Sequence, residues 1–155
     1  IIGVVYSPIQ NELFHAEIKN GAYLNGNLIE INSEVSLDST FIAFGNARDQ
    51  QHRKKIIQIF KNIKIRNNFV RQVGAAALEL CYVAVGRFGA YIMTGINSWD
   101  IIAGALIVNE AHGIITDFEG REFNFHSTDI LAAPSSIHKP LLEIINYSLT
   151  ETSIF

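Results

Sequence analysis

The sequence holds a single cysteine, Cys81, and therefore no internal disulfide. Flanked by Leu80 and Tyr82, it reads as a small buried apolar residue, and a lone thiol suits a reducing compartment such as the cytoplasm. Prolines number three, and there is one methionine and one tryptophan. No repeat or low-complexity linker is visible, which excludes collagen-like and solenoid architectures. No uncharged run reaches the ~18 residues needed to cross a bilayer, and no signal-peptide pattern is present, so no membrane partner is expected. Charge is sparse: 17% of residues carry it, and a net charge of −3 argues against general polyanion binding. Acid is absent from Gln50 to Leu78, whereas seven of the twelve basic residues lie between Arg53 and Arg71. Such a run contacts nucleic acid or an acidic partner, or else forms a solvated helix face. Without interleaved stacking aromatics (Phe60 and Phe69 read as core) the solvated face is favoured. The five histidines, at 15, 52, 112, 126 and 138, show no metal-ligand spacing. Neither Ser98 nor Cys81 has an identifiable histidine base, so nucleophilic catalysis is not supported.

What the chain does have is apolar residues, 48% of its 155, enough for a sizeable core. Residues 2–6 read as a buried strand closed by Ser7-Pro8. A second strand runs from Leu13 to Ile18, turning at Lys19-Asn20-Gly21. Asn25-Gly26 is a strong hairpin signal, because this pair favours the positive φ angles of a type I′ turn, and Leu28–Ile31 is the returning strand. This antiparallel meander leaves an outer strand exposed unless a further segment pairs with it. From Phe41 the pattern changes: a strand at 41–44, a helix around His52–Ile63, a brief strand at Lys64–Arg66, and a helix from Gly74 to about Gly86. Tyr91–Met93, Ile114–Asp117 and Ile130–Ala133 follow as strands. Ser136 is expected to cap a last helix through Leu149, with Pro140 in its first turn. The fold class is α/β in layers: the meander first, then a mixed, largely parallel sheet flanked by helices, with ligands at strand carboxyl ends. Residues 1–36 and 37–155 are read as two parts, the first completing a sheet and the second an α/β unit.

The chain is organised around residues 92–105. Gly95 permits a sharp turn after the Tyr91–Met93 strand, Asn97 or Ser98 is suited to cap the helix that follows, and Asp100 falls in its first turn. Ala103-Gly104-Ala105 lets that helix approach its neighbour closely. A carboxylate so placed serves as one ligand of a divalent cation or one wall of a phosphate site, or it only stabilises a helix end. Gly74-Ala75-Ala76-Ala77 carries a similar ambiguity: small side chains admit a phosphate or polyol to the backbone N–H groups, or they admit close helix–sheet packing. His112 reads as a positive-φ helix cap, and the acids Asp117, Glu119 and Glu122 around Gly120 read as a surface hairpin with a chance cluster.

Trp99-Asp100-Ile101-Ile102-Ala103-Gly104, followed by Ile107-Val108-Asn109-Glu110-Ala111-His112-Gly113, resembles the C-terminal signature of the inositol monophosphatase family. Ile2–Pro8, Gly21-Ala22-Tyr23-Leu24-Asn25-Gly26 and Arg71-Gln72-Val73-Gly74-Ala75-Ala76-Ala77-Leu78 resemble three further segments of that family, in the same order. The resemblance implies a magnesium-dependent phosphomonoesterase acting on inositol monophosphate or a related polyol or sugar phosphate. It gives Asp100 as a Mg²⁺ ligand that also faces substrate, and Gly74, Ala75, Ala76 and Met93 as substrate-contacting positions. It places Arg71 near the active site and a subunit contact, hence a homodimer. Ala75 stands where the family often has a hydroxyl residue. Met93 stands where inositol-selective members place a Glu, so inositol selectivity is not implied. The family's Asp-Pro-Ile-Asp-Gly-Thr stretch, preceded by a Glu, supplies most metal ligands and the water activator, and residues 1–155 do not contain it. No catalytic residue is therefore assigned here. The chain is expected to be the C-terminal portion of a longer enzyme, partnered with the missing N-terminal half and inactive alone. The alternative is a non-catalytic binding or scaffold protein that keeps the fold. A third reading, an RNA-contacting accessory protein using Arg53–Arg71, is the least favoured.

Overall fold

β7, Ala90–Thr94, is buried along its whole length, which shows that both faces of its sheet are covered. In a computed structural model describing residues 1–45 and 47–150, its side chains divide by the period of two that a strand imposes. Tyr91 and Met93 enter one core with Leu80, Ala105 and Phe14, while Ala90 and Ile92 enter another with Ile59, Leu141 and Ile145.

Four layers result. The outermost is an antiparallel sheet of β1 (Ile2–Ser7), β2 (Glu12–Glu17), β3 (Ala22–Leu24) and β4 (Asn27–Ile29), in that order. Next come α2 (Ala76–Ala84) and α3 (Ile102–Glu110), which share the first core with Phe14, Ala16 and Ala22 of the sheet. The third layer orders β6 (Val70–Arg71), β5 (Ile42–Phe44), β7, β9 (Asp129–Ala133) and β8 (Ile114–Thr116). β5 is parallel to β6 and β7, whereas β9 is antiparallel to β7 and β8, so the sheet is mixed as expected. Helices α1 (Gln50–Arg66) and α4 (Ser135–Thr150) close its far face through Ile56, Ile59, Ile63, Ile137, Leu141 and Ile145.

The local turn chemistry follows the sequence. Asn25 and Gly26 take φ of 49° and 80°, as a type I′ turn requires. His112 takes φ of 66° after α3; its N–H donates to Asn109 O and that of Gly113 to Val108 O, at 3.0 and 2.9 Å. Those two bonds form a Schellman cap, which satisfies carbonyls the helix end leaves unpaired. Glu110, the last residue of α3, accepts from the N–H groups of Lys19 and Gly21 and so ties the β2–β3 turn to α3. β1 is an edge strand, and its Ile2, Val4 and Tyr6 are exposed on the outer face. The acids around Gly120 form the expected hairpin: Asp117 accepts from Arg121 Nε at 2.7 Å.

Several expectations are corrected. Lys64–Arg66 is not a strand but the last turn of α1, where Lys64 and Arg66 suit the negative helix end; Ile65 is 75% exposed, and the strand is Val70–Arg71. Gly74 does not open α2. Its φ of 89° is outside the helical region, and the helix begins two residues later. β4 ends at Ile29 because the Ile31 N–H donates to Ala111 O. Ser136 lies within α4, its hydroxyl accepting from the Val35 N–H at 3.3 Å, and Pro140 falls in the second turn. Phe60 and Phe69 are partly exposed, resting edge-on against Phe44 and Phe41.

Candidate functional site

The C-terminal end of β7 is held from three sides. Lys55 Nζ reaches Asp129 Oδ2 at 2.6 Å, Asp129 also accepts from the buried Thr94 hydroxyl, and the His52 ring packs on Gly95. Gly95, at φ 71°, turns the chain sharply, as its lack of a Cβ allows. The segment that follows differs from the expected α-helix. Ser98–Asp100 is a single 3₁₀ turn, and α3 starts only at Ile102. Neither Asn97 nor Ser98 caps by side chain; the Ser98 hydroxyl donates to Phe125 O instead. Asp100 therefore lies two residues before α3 and not in its first turn. Its Oδ2 accepts from Arg48 Nη2 at 2.9 Å.

Gly104 explains how close α3 comes to α2. A Cβ there would lie 2.8 Å from Leu80 Cβ and 2.9 Å from Ala77 O. The small stripe Ala103–Ala105 thus has a packing role, and it brings the N-terminal end of α2 beside the Asp100 turn. The loop before α2 leaves Gly74 and Ala75 exposed, with Ala76 half-buried.

Between these parts lies a cavity of about 670 Å³ whose wall includes Ser7, Gly45, Arg48, Met93, Asp100 and the Gly74–Ala76 segment. Every position that the sequence singled out for metal or substrate, Asp100, Gly74, Ala75, Ala76 and Met93, therefore lines one cavity. Arg71 does not. It lies on the edge strand β6, its guanidinium 4.4 Å over the Phe41 ring and donating to Val70 O. Met93 is 7% exposed and takes a contact at 3.0 Å from the Tyr91 hydroxyl to its sulfur, a weak acceptor. Burial, with the Glu79 and Asp100 carboxylates nearby, pushes the Tyr91 phenol up, so it stays a donor at neutral pH.

Two site residues have no counterpart in the sequence reading. Arg48 comes from the loop before α1, and nothing in its neighbourhood announces the pairing with a residue 52 positions away. Glu79 is fully buried in the cavity wall on the first turns of α2. Its available signal was its place as the first acid after the long acid-free run. Cys81 is buried, with its thiol pushed up to about 12 by desolvation, which fits the inert role expected of it.

Mg²⁺ prefers several hard oxygen ligands in near-octahedral array. Asp100 is one such donor, already paired with Arg48, and among the described residues no three His, Cys, Asp or Glu side chains gather as a metal cluster. The donor set present here does not by itself fit the ion.

A layered α/β chain with a small-residue loop and an acidic turn facing one cavity is the type of architecture shared with a defined group of proteins. Residues 1–150 match the model of the inositol monophosphatase family. The chain belongs to that family. It is 38% identical over 144 residues to a putative Nus factor SuhB of Neisseria meningitidis serogroup B, covering 92% of this chain and 55% of that protein. It is 33% identical over 150 residues to a fructose-1,6-bisphosphatase/inositol-1-monophosphatase of Thermotoga maritima, covering 97% and 57%. Among solved structures, the Thermotoga maritima IMPase superposes with a TM-score of 0.86 at 33% identity, over 97% of this chain and 57% of that one. The inositol monophosphatase of Anabaena gives 0.87 at 31% identity, over 94% and 58%. The chain thus spans little more than half the length of the curated relatives it matches.

Proposed function

We propose that this chain is part of a magnesium-dependent phosphomonoesterase acting on inositol monophosphate or a related polyol or sugar phosphate, and that it is inactive alone. The observation that carries the reading is the single cavity gathering Asp100, Arg48, Met93 and Gly74–Ala76. In this reading Asp100 contributes one metal ligand, and further carboxylates come from outside the described residues. Gly74, Ala75 and Ala76 give a wall without side-chain bulk against which a polyol ring lies. Met93 supplies apolar contact and no hydroxyl acceptor. The inositol-1-monophosphatase of Mesorhizobium japonicum and the inositol monophosphatase 1 of Solanum lycopersicum, 30% and 33% identical to this chain, support the substrate class.

The test compares phosphate release from inositol monophosphate by the purified chain and by the longer protein, each with and without Mg²⁺. Negligible turnover by the chain and Mg²⁺-dependent turnover by the longer protein are expected. Turnover that ignores Mg²⁺, or substantial activity of the chain alone, refutes the reading.

Relatives named Nus factor SuhB support a second, non-catalytic reading, a binding role of the kind their names carry. The exposed Arg53, Lys54, Lys61, Lys64 and Arg66 on α1 are the surface it would use. RNA binding that weakens steeply with salt would favour it, and no binding at low salt would dispose of it.

A further inference from the structure

Glu79 is a carboxylate with 0% exposure in the wall of the cavity, and the proposed chemistry does not use it. Its Oε1 accepts from the Val73 N–H at 3.0 Å, and among the described residues its Oε2 has no hydrogen-bond partner. The N–H groups of Gly74 and Ala75 lie close enough to favour its charge without completing a bond of good geometry to Oε2. Burial opposes them and pushes the carboxyl up. Gly74 takes φ of 89°, so the chain reverses its handedness between Val73 and Ala75. Successive N–H groups that converge in this way form a concavity suited to an anion, and the adjacent start of α2 adds the positive end of a helix. An acid buried at such a place is costly unless it answers the charge around it.

We propose that Glu79 is the resident anion of the Val73–Ala75 concavity, filling from inside the molecule the place a phosphate would otherwise take. Glu79 is then a positioning residue. It sets the conformation of Gly74–Ala76, and its carboxylate disfavours a second anion against this wall. Resting on the phosphomonoesterase reading, this keeps the anionic group of a ligand off the Gly74–Ala76 wall.

The experiment is a titration of the chain with inorganic phosphate, followed through the amide signals of Val73, Gly74 and Ala75. Wild type should show no saturable shift at these amides. Glu79→Ala, which empties the concavity, should show one, and Glu79→Gln, which still fills it and removes only the like-charge repulsion, should show a weaker one. The affinity gained should be about ten-fold or more over wild type, the scale of one charge-assisted hydrogen bond. If Glu79→Ala does not fold, Glu79→Gln carries the comparison. A saturable shift at these amides in wild type overturns the proposal, whatever the variants do, and so does the absence of any gain in a folded variant. In the longer protein, Glu79→Gln should raise KM for a polyol phosphate more than it lowers kcat, and it should strengthen inhibition by phosphate. An equal loss in both parameters would point to a merely structural role. The amide result does not depend on turnover, so failure of the phosphatase reading would leave it standing or falling by itself.

Discussion

Arg48 Nη2 donates to Asp100 Oδ2 at 2.9 Å, so the acidic group that the functional reading rests on already has a cation beside it. The two side chains are 65% and 36% exposed, which limits the pair's contribution to stability to about 0–1 kcal/mol. If Asp100 is a metal ligand as proposed, the guanidinium would have to give up that carboxylate, leaving Arg48 for an anionic group in the same cavity.

This gives opposite expectations for two substitutions. In the longer protein, Asp100→Asn should shift the Mg²⁺ activation curve to higher concentration with little change in melting temperature. Arg48→Ala, which frees the carboxylate, should shift Mg²⁺ binding to lower concentration. A lowered melting temperature with an unaltered Mg²⁺ curve for Asp100→Asn would retire the ligand assignment.

Met93→Glu restores an acceptor at a position facing the cavity, where the Tyr91 hydroxyl stands ready as a donor. Preference for inositol phosphate over other polyol phosphates should rise by roughly ten- to a hundred-fold, the value of one charged hydrogen bond. Competition assays with paired substrates measure it. A wild-type enzyme that already discriminates by several orders of magnitude would show that another residue makes this contact.

Gly104→Ala should destabilise the chain although alanine is the better helix former by about 1 kcal/mol. The new methyl would lie 2.9 Å from Ala77 O, a backbone atom with nowhere to retreat. Overpacking of this kind costs about 1–3 kcal/mol, read as a melting temperature lowered by several degrees. An unchanged melting temperature would mean that α2 and α3 can move apart.

Stability should fall on mild acidification because of His138. Burial lowers its pKa below the usual 6.5, and its Nε2 lies 3.0 Å from the Thr116 hydroxyl. Below 6.5 the unfolded chain takes up a proton that the folded chain resists. The stabilisation from a neutral His138 is therefore complete above that value and is lost as pH falls through it toward the folded pKa. Thermal melts from pH 7.5 to 5.5 should show the decline, and His138→Gln should flatten it. An identical slope in the variant would assign the effect to other groups.

Features set by a few neighbouring residues were legible in the sequence. The Asn25-Gly26 turn, the positive φ of Gly95 and His112, the buried run at 91–93 and the Ile56, Ile59 and Ile63 face of α1 all follow from backbone sterics and hydrophobic period. The cavity positions Asp100, Met93 and Gly74–Ala76 were legible as motifs, and the packing of α2 against α3 brought them together. Errors came where a distant group outbid a local one. Ser98 gives its hydroxyl to Phe125 O and Ser136 bonds the Val35 N–H, so neither behaves as the cap that its position suggests. Arg48 and Glu79 belong to this second kind. A sequence displays the charge of each, but whether a charge meets solvent, a carboxylate or a converging set of N–H groups depends on which segments the fold brings within about 3 Å, the range at which hydrogen bonds form.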